Sequence, residues 1–280
     1  KEQVEIYNSN LKNLIDLKNI WGSNISLNRE NLNSQLEKTK ESKSIMENTK
    51  SQSLANIDNS IKNTKNQIVN SLDQAFDLID KTFWITENRK AENDDFEIFL
   101  CAKNTTLKSQ IEQDFEKLYA KNFKSLDPKD ISSNLQDISN LLNNASTCMK
   151  TSIENTTLTK ATLDWLYSSF NSYSSSMLSS KTSLDNLLDS SKTTTLNYDS
   201  QLKSLDNSIL SIENNIKTID NNSLESSNIN YDNQINSLNA QIQSANNSLD
   251  SINEQIWWLD ESKSTQLKQF ENQIVTLNQS

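Results

Sequence analysis

Cys101 and Cys148 are the two residues whose type points to covalent chemistry, and what they offer is a disulfide. The chain has no histidine, so Ser–His and Cys–His nucleophilic dyads and His-ligated metal sites cannot form. Two cysteines this far apart make no zinc motif. A calcium loop of the EF-hand type needs a central glycine, and the chain has a single glycine in all. Paired carboxylates such as Asp94-Asp95 suit solvated charge, because glycosidase-like work needs a pocket that raises one acid's pKa. No cofactor and no metal are expected, and the chain reads as a non-enzyme. A Cys101–Cys148 bridge implies an oxidising, extracytoplasmic setting, hence an extracellular or cell-surface protein. A pair of free buried thiols is the alternative.

Those cysteines must be positioned by helices. One Gly and one Pro in 280 residues, against averages of about 7% and about 5%, leave no material for hairpin turns or phosphate-cradling loops. Hydrophobic residues make up 34% of the chain, too few for a large globular core. The formal net charge is −10 with pI near 4.7, and the lysines are interleaved with acids. That balance argues against nucleic acid, whose phosphates need clustered Lys and Arg. No stretch approaches the roughly 18 consecutive apolar residues of a membrane span, so no membrane insertion is expected. Lys1–Ile6 lacks the apolar run of a signal peptide, which leaves earlier removal of one open. Asn-x-Ser/Thr sequons at Asn24, Asn104, Asn144, Asn155, Asn221, Asn246 and Asn278 follow from the Asn- and Ser-rich composition. They matter only in a glycosylating secretory route.

Apolar residues recur at alternating spacings of three and four, the period of a coiled-coil seam. Leu202, Leu205, Ile209, Ile212, Ile216 and Ile219 form one run, and Ile235, Leu238, Ile242, Ala245 and Leu249 another. The fold class is therefore all-α. Asn- and Ser-rich helices are marginal alone, so each seam must be buried on another helix. The single proline, in Leu126-Asp127-Pro128-Lys129, marks a turn near 124–128, with Asp127 suited to cap and Pro128 to open the next helix.

An antiparallel hairpin about that turn pairs residues whose numbers add to 249. Cys101 with Cys148 obeys this, as do Leu118 with Ile131, Ile111 with Ile138, Phe96 with Ile153, Phe83 with Leu166 and Leu11 with Leu238. The expectation is one long antiparallel hairpin over 1–248, with a tip at 96–153 and arms about 180 Å long at about 1.5 Å per residue. Register weakens between about 30 and 53 and opposite Asp220–Ser223, where a stutter, bend or short break is expected. The polar runs at Thr86–Asp95 and Ser190–Thr195 are further weak points, and any of these sites could be a turn that folds the chain into a compact bundle. Trp84 and Trp165 read as core, while Trp21 beside Gly22 marks a kink or a docking notch.

The pairing runs out at Ser248, but the seam does not. Leu249, Ile252, Ile256 and Leu259 stay in phase, and Leu267, Phe270, Ile274 and Leu277 follow after a shift, with Trp257 and Trp258 beside them. This 249–280 extension is expected to pair with another molecule, to fold back as a third helix, or to face residues upstream of Lys1 that have been removed. An apolar stripe of that length marks an interaction surface, and tryptophan is a favoured anchor. Two functions follow. The first is an extracellular structural subunit whose extension joins copies into a filament, lattice or surface appendage. The alternative is an adhesin or surface stalk that presents its tip to a receptor through Phe115, Tyr119 and Phe123.

Overall fold

The computed structural model describes residues 1–90 and 97–278, apart from the side chains at 90, 97, 222–226 and 275–278. The pairing of Phe96 with Ile153, the carboxylates Asp94-Asp95 and the side chain of Leu277 lie outside the described residues. The fold is all-α. Helices α1 (Glu2–Phe83), α2 (Glu87–Lys90), α3 (Thr105–Tyr119), α4 (Pro128–Thr151), α5 (Lys160–Thr218) and α6 (Leu224–Asn278) follow in order. A short 3-10 turn lies at Glu97–Phe99, and a π-turn at Ile219–Ser223 links α5 to α6. The chain divides into two compact units, Ser44–Lys203 and the combination of Lys1–Lys43 with Ser204–Ser280.

The Ser44–Lys203 unit holds nearly all of the core. At its lower end α1 and α5 pair antiparallel as expected: Lys50 Nζ lies 2.5 Å from Asp199, numbers that add to 249. Farther on, the expected tip does not prolong the hairpin. It doubles back and lies along the arms. The α1–α3 contact is fixed by Phe76 against Phe115, Tyr119 and Phe123. Lys65 also donates to the Leu126 carbonyl at 2.7 Å. On the other side, Ser139 of α4 shares a hydrogen bond with Ser174 of α5 at 2.7 Å, and Ser132 meets Asp185 at 2.5 Å. Phe83 against Phe170 closes the ring between α1 and α5. The result is an up-down-up-down four-helix bundle of α1, α3, α4 and α5.

Two breaks cause the fold-back. Helix α1 stops at Phe83, and Trp84 takes a left-handed φ of 47°. Asp80 holds the stop: its carboxylate accepts from the Ile85 and Thr86 amides at 3.1 and 2.8 Å and from the Thr86 hydroxyl at 2.7 Å. Helix α4 ends at Thr151, and Asn155 organises the return by accepting from the Thr157 and Leu158 amides. Thr159 then accepts from the Thr162 amide at the start of α5. Trp165 is corrected here, since it is 58% exposed rather than core. Trp84 is half-buried against the core edge.

Folding back buries far more than a hairpin could. Helix α4 needs covering on two sides, because Leu141-Leu142 and Cys148-Met149 are adjacent pairs, all at most 2% exposed. Such couples widen a coiled-coil seam into the broad stripe of a bundle helix. Ser132, Ser139 and Ser146 recur every seventh residue on the same helix and are at most 3% exposed, small enough for α5 to approach closely. The turn at 124–128 does form, and Asp127 precedes Pro128 at the start of α4, with no side-chain cap bond. It rests beside α1, not at a distal end.

The other unit is an antiparallel pair of single helices. Lys43–Asp206 at 2.7 Å, Arg29–Asp220 at 3.2 Å and Lys18–Asp232 at 2.5 Å bridge it at intervals. Exposed pairs of this kind contribute about 0–1 kcal/mol each, so they set register more than stability. Its seam residues are half-buried, with Ile25 and Leu36 the most covered at 9%. Helix α1 runs unbroken through 30–53, and the expected stutter appears opposite, as the π-turn. Gly22 keeps a helical backbone, and an added Cβ would meet nothing within 4 Å. Trp21 packs on Tyr231, with ring centroids 6.1 Å apart.

Candidate assembly surface

Three groups of residues were singled out by sequence, and the fold treats each differently. Cys101 and Cys148 are joined by a disulfide, with Cα atoms 4.8 Å apart and both residues fully buried. That spacing lies inside the range a bridge needs. Cys101 sits at a left-handed φ of 50°. Its amide donates to Ser152 Oγ at 3.0 Å, and that hydroxyl donates to the Cys148 carbonyl at 2.9 Å. Lys103 to Thr151 and Ile153 to Phe99 add backbone bonds on either side. The bridge therefore pins the segment before α3 to the end of α4, and closes a loop 47 residues in span.

Phe115, Tyr119 and Phe123 do not form an exposed tip. Phe115 and Phe123 are 1% and 7% exposed, and pack on Phe76 inside the bundle. Only Tyr119 faces solvent, stacked on Phe115 with centroids 5.0 Å apart. The physical reason is the fold-back, which supplies α1 as cover for aromatics that a distal apex would have left bare.

The extension behaves in the opposite way. Helix α6 continues straight past the start of α1, and every described side chain from Asp250 to Ile274 is exposed. Leu249 is half-buried beside Val4, and beyond it Ile252, Ile256, Leu259, Leu267, Phe270 and Ile274 are 51–69% exposed. Of extension and fold-back as a third helix, the segment takes the first. Trp257 and Trp258 are 58% and 60% exposed and meet edge to face, with centroids 4.9 Å apart. A pair of large apolar rings held in water by each other alone is an unusual surface.

Electrostatics are mild. Lys181, helped by the Ser132 hydroxyl, holds the Asp185 carboxyl below the usual carboxylate range. Lys81 does the same for Asp77, with help from Arg89. Lys150 stands over the Tyr167 ring at 4.3 Å and lowers that phenol's pKa. Each of these contacts ties neighbouring turns or helices of the bundle. Among the described residues no cluster of three or more His, Cys, Asp or Glu is placed to hold a metal ion. No helix among them is long and apolar enough to cross a membrane. Comparison with protein families, curated proteins and solved structures found no match to this chain.

Proposed function

We propose that this chain is a non-enzymatic structural protein, a coiled-coil subunit whose α6 extension joins it to further copies of itself in an extracellular filament, lattice or surface appendage. The observation that carries the proposal is the uncovered stripe from Ile252 to Ile274, continuous with the seam that packs on α1. A helix of marginal intrinsic propensity keeps such a stripe only if something covers it in use. The Cys101–Cys148 bridge supports the extracellular placement, since buried structural disulfides belong to oxidising compartments. The adhesin alternative loses its best support with the burial of Phe115 and Phe123.

Sedimentation of the full chain across a range of concentrations tests the proposal. Association that rises with concentration, and that the double substitution Ile252→Ser, Ile256→Ser abolishes, is the expected outcome. A chain that stays monomeric at about 100 µM, a concentration where interfaces tighter than about 5.5 kcal/mol are filled, rejects it.

A further inference from the structure

The exposed stripe of α6 is a palindrome, and we infer that it pairs with the same stripe of a second copy, antiparallel, about a two-fold axis at Lys263. The inference rests on the self-association proposed above and supplies its geometry. Ile252 and Ile274, Ile256 and Phe270, and Leu259 and Leu267 are three couples whose midpoint is the same residue, Lys263. All six side chains are more than half exposed. A two-fold interface requires that where residue i meets j, j meets i, and a stripe symmetric in its own numbering meets that condition at every layer. The spacing is also right for helices running in opposite directions. Steps of four, three and four lead into the centre and the same steps lead out of it in reverse order, so each step on one helix faces a step of equal length on the other.

Two features favour the antiparallel arrangement over a parallel one, which would also match each residue to an apolar partner. First, α1 already runs antiparallel to α6 on this seam, with Val4 beside Leu249. A second α6 with the same polarity as α1 continues that established interface in line. A parallel partner would instead bring its own α1 into the space between the two α6 helices. Second, Asp260 and Glu261 lie before the centre and Lys268 after it. Antiparallel pairing brings the lysine of one copy within about a turn of Asp260 and Glu261 of the other and sets Glu254 near Glu271, whereas parallel pairing sets every charged residue level with its own copy.

Lys263 is the one polar residue on the line. A single lysine at a seam position fixes register and costs stability, and its long stem can carry the ammonium outward. Trp257 and Trp258 follow Ile256 by about 100° and about 200° around the helix. They stand outside the two-helix seam and remain open after pairing.

The native cysteines are bonded and buried, so single introduced cysteines report on geometry. In the full chain under mild oxidation, Lys263→Cys should form a covalent dimer in most molecules. Ile256→Cys alone should cross-link at least tenfold less, because its two copies lie 14 residues apart in the pairing. A mixture of Ile256→Cys and Phe270→Cys chains should recover cross-linking. Equal self-cross-linking at Ile256→Cys and Lys263→Cys overturns the inference in favour of a parallel pair. Dimers seen by sedimentation with no cross-link at any of these sites overturn the register while leaving the self-association proposal intact. A monomer overturns both.

Discussion

In the Ser44–Lys203 unit Ile68-Val69, Ala75-Phe76 and Leu141-Leu142 are adjacent apolar couples, and no member is more than 6% exposed. The other unit has couples too, Leu14-Ile15, Ile20-Trp21 and Ile209-Leu210, yet Ile15, Ile20 and Leu210 are 40–59% exposed. The residue types are the same. What differs is the number of neighbouring helices: a bundle helix has two to pack on, and a paired helix has one. A second apolar row is thus needed for a bundle but does not by itself produce one. The fold-back at Trp84 and at Ser152–Thr159 makes the difference, by supplying α3 and α4 as extra walls.

The sharpest test of what an extra wall contributes is to remove volume from a covered and an uncovered position on one bundle helix. Phe115→Ala should cost about 3–5 kcal/mol, as expected for a fully buried aromatic, while Tyr119→Ala four residues on should cost well under half of that. Urea unfolding of the two variants, followed by tryptophan fluorescence, measures both. Equal losses would mean that Tyr119 is covered in solution.

Removing the bridge comes next. Reduction, or Cys148→Ser paired with Cys101→Ser, should lower the stability of the bundle by about 2–4 kcal/mol. Amide exchange should quicken in α3 and α4 and stay unchanged in residues 1–43 and 224–250. Quickening in both units together would show that they unfold as one.

A gain should be available in the two-helix unit. Gly22 has helical backbone angles and open space at Cβ, so Gly22→Ala should stabilise the pair by about 1 kcal/mol, read as slower amide exchange around Trp21. The smallest effect concerns acid. The lowered pKa of Asp185 means that its bonds to Lys181 and Ser132 add stability that is complete above the ordinary carboxylate value of about 3.9. That stability is lost as pH falls through the lower folded value. Asp185→Asn should lower the neutral plateau slightly and flatten this part of the bundle's acid-unfolding profile, so that variant and parent converge as pH falls below the folded value.

The helices, their antiparallel order and the facing of Cys101 with Cys148 were legible because they depend on period and spacing alone. Lys43–Asp206, Arg29–Asp220 and Lys50–Asp199 keep the expected sum of 249 over the arms. The fold-back stood only as an alternative at the polar run from Thr86, because Leu118 with Ile131 and Ile111 with Ile138 satisfy one index sum whether α3 and α4 point away from the arms or lie on them. Two signals did point to the bundle. Ser132, Ser139 and Ser146 keep seven-residue step beside an apolar row, and Asp80 stands four to six residues ahead of Trp84, Ile85 and Thr86, where it can stop a helix. The palindrome in α6 was also on the page, but it is visible only once the stripe is known to be bare.

The π-turn has a consequence for direction. Facing ion pairs add to 249 at Lys43–Asp206 and Arg29–Asp220, and to 250 at Lys18–Asp232 beyond it, as one extra residue in one helix requires. Deleting one residue at 219–223 would turn everything that follows by about 100° and draw it back about 1.5 Å. Five residues of low apolar content therefore act as a vernier, setting the compass bearing on which the far end of α6 looks out.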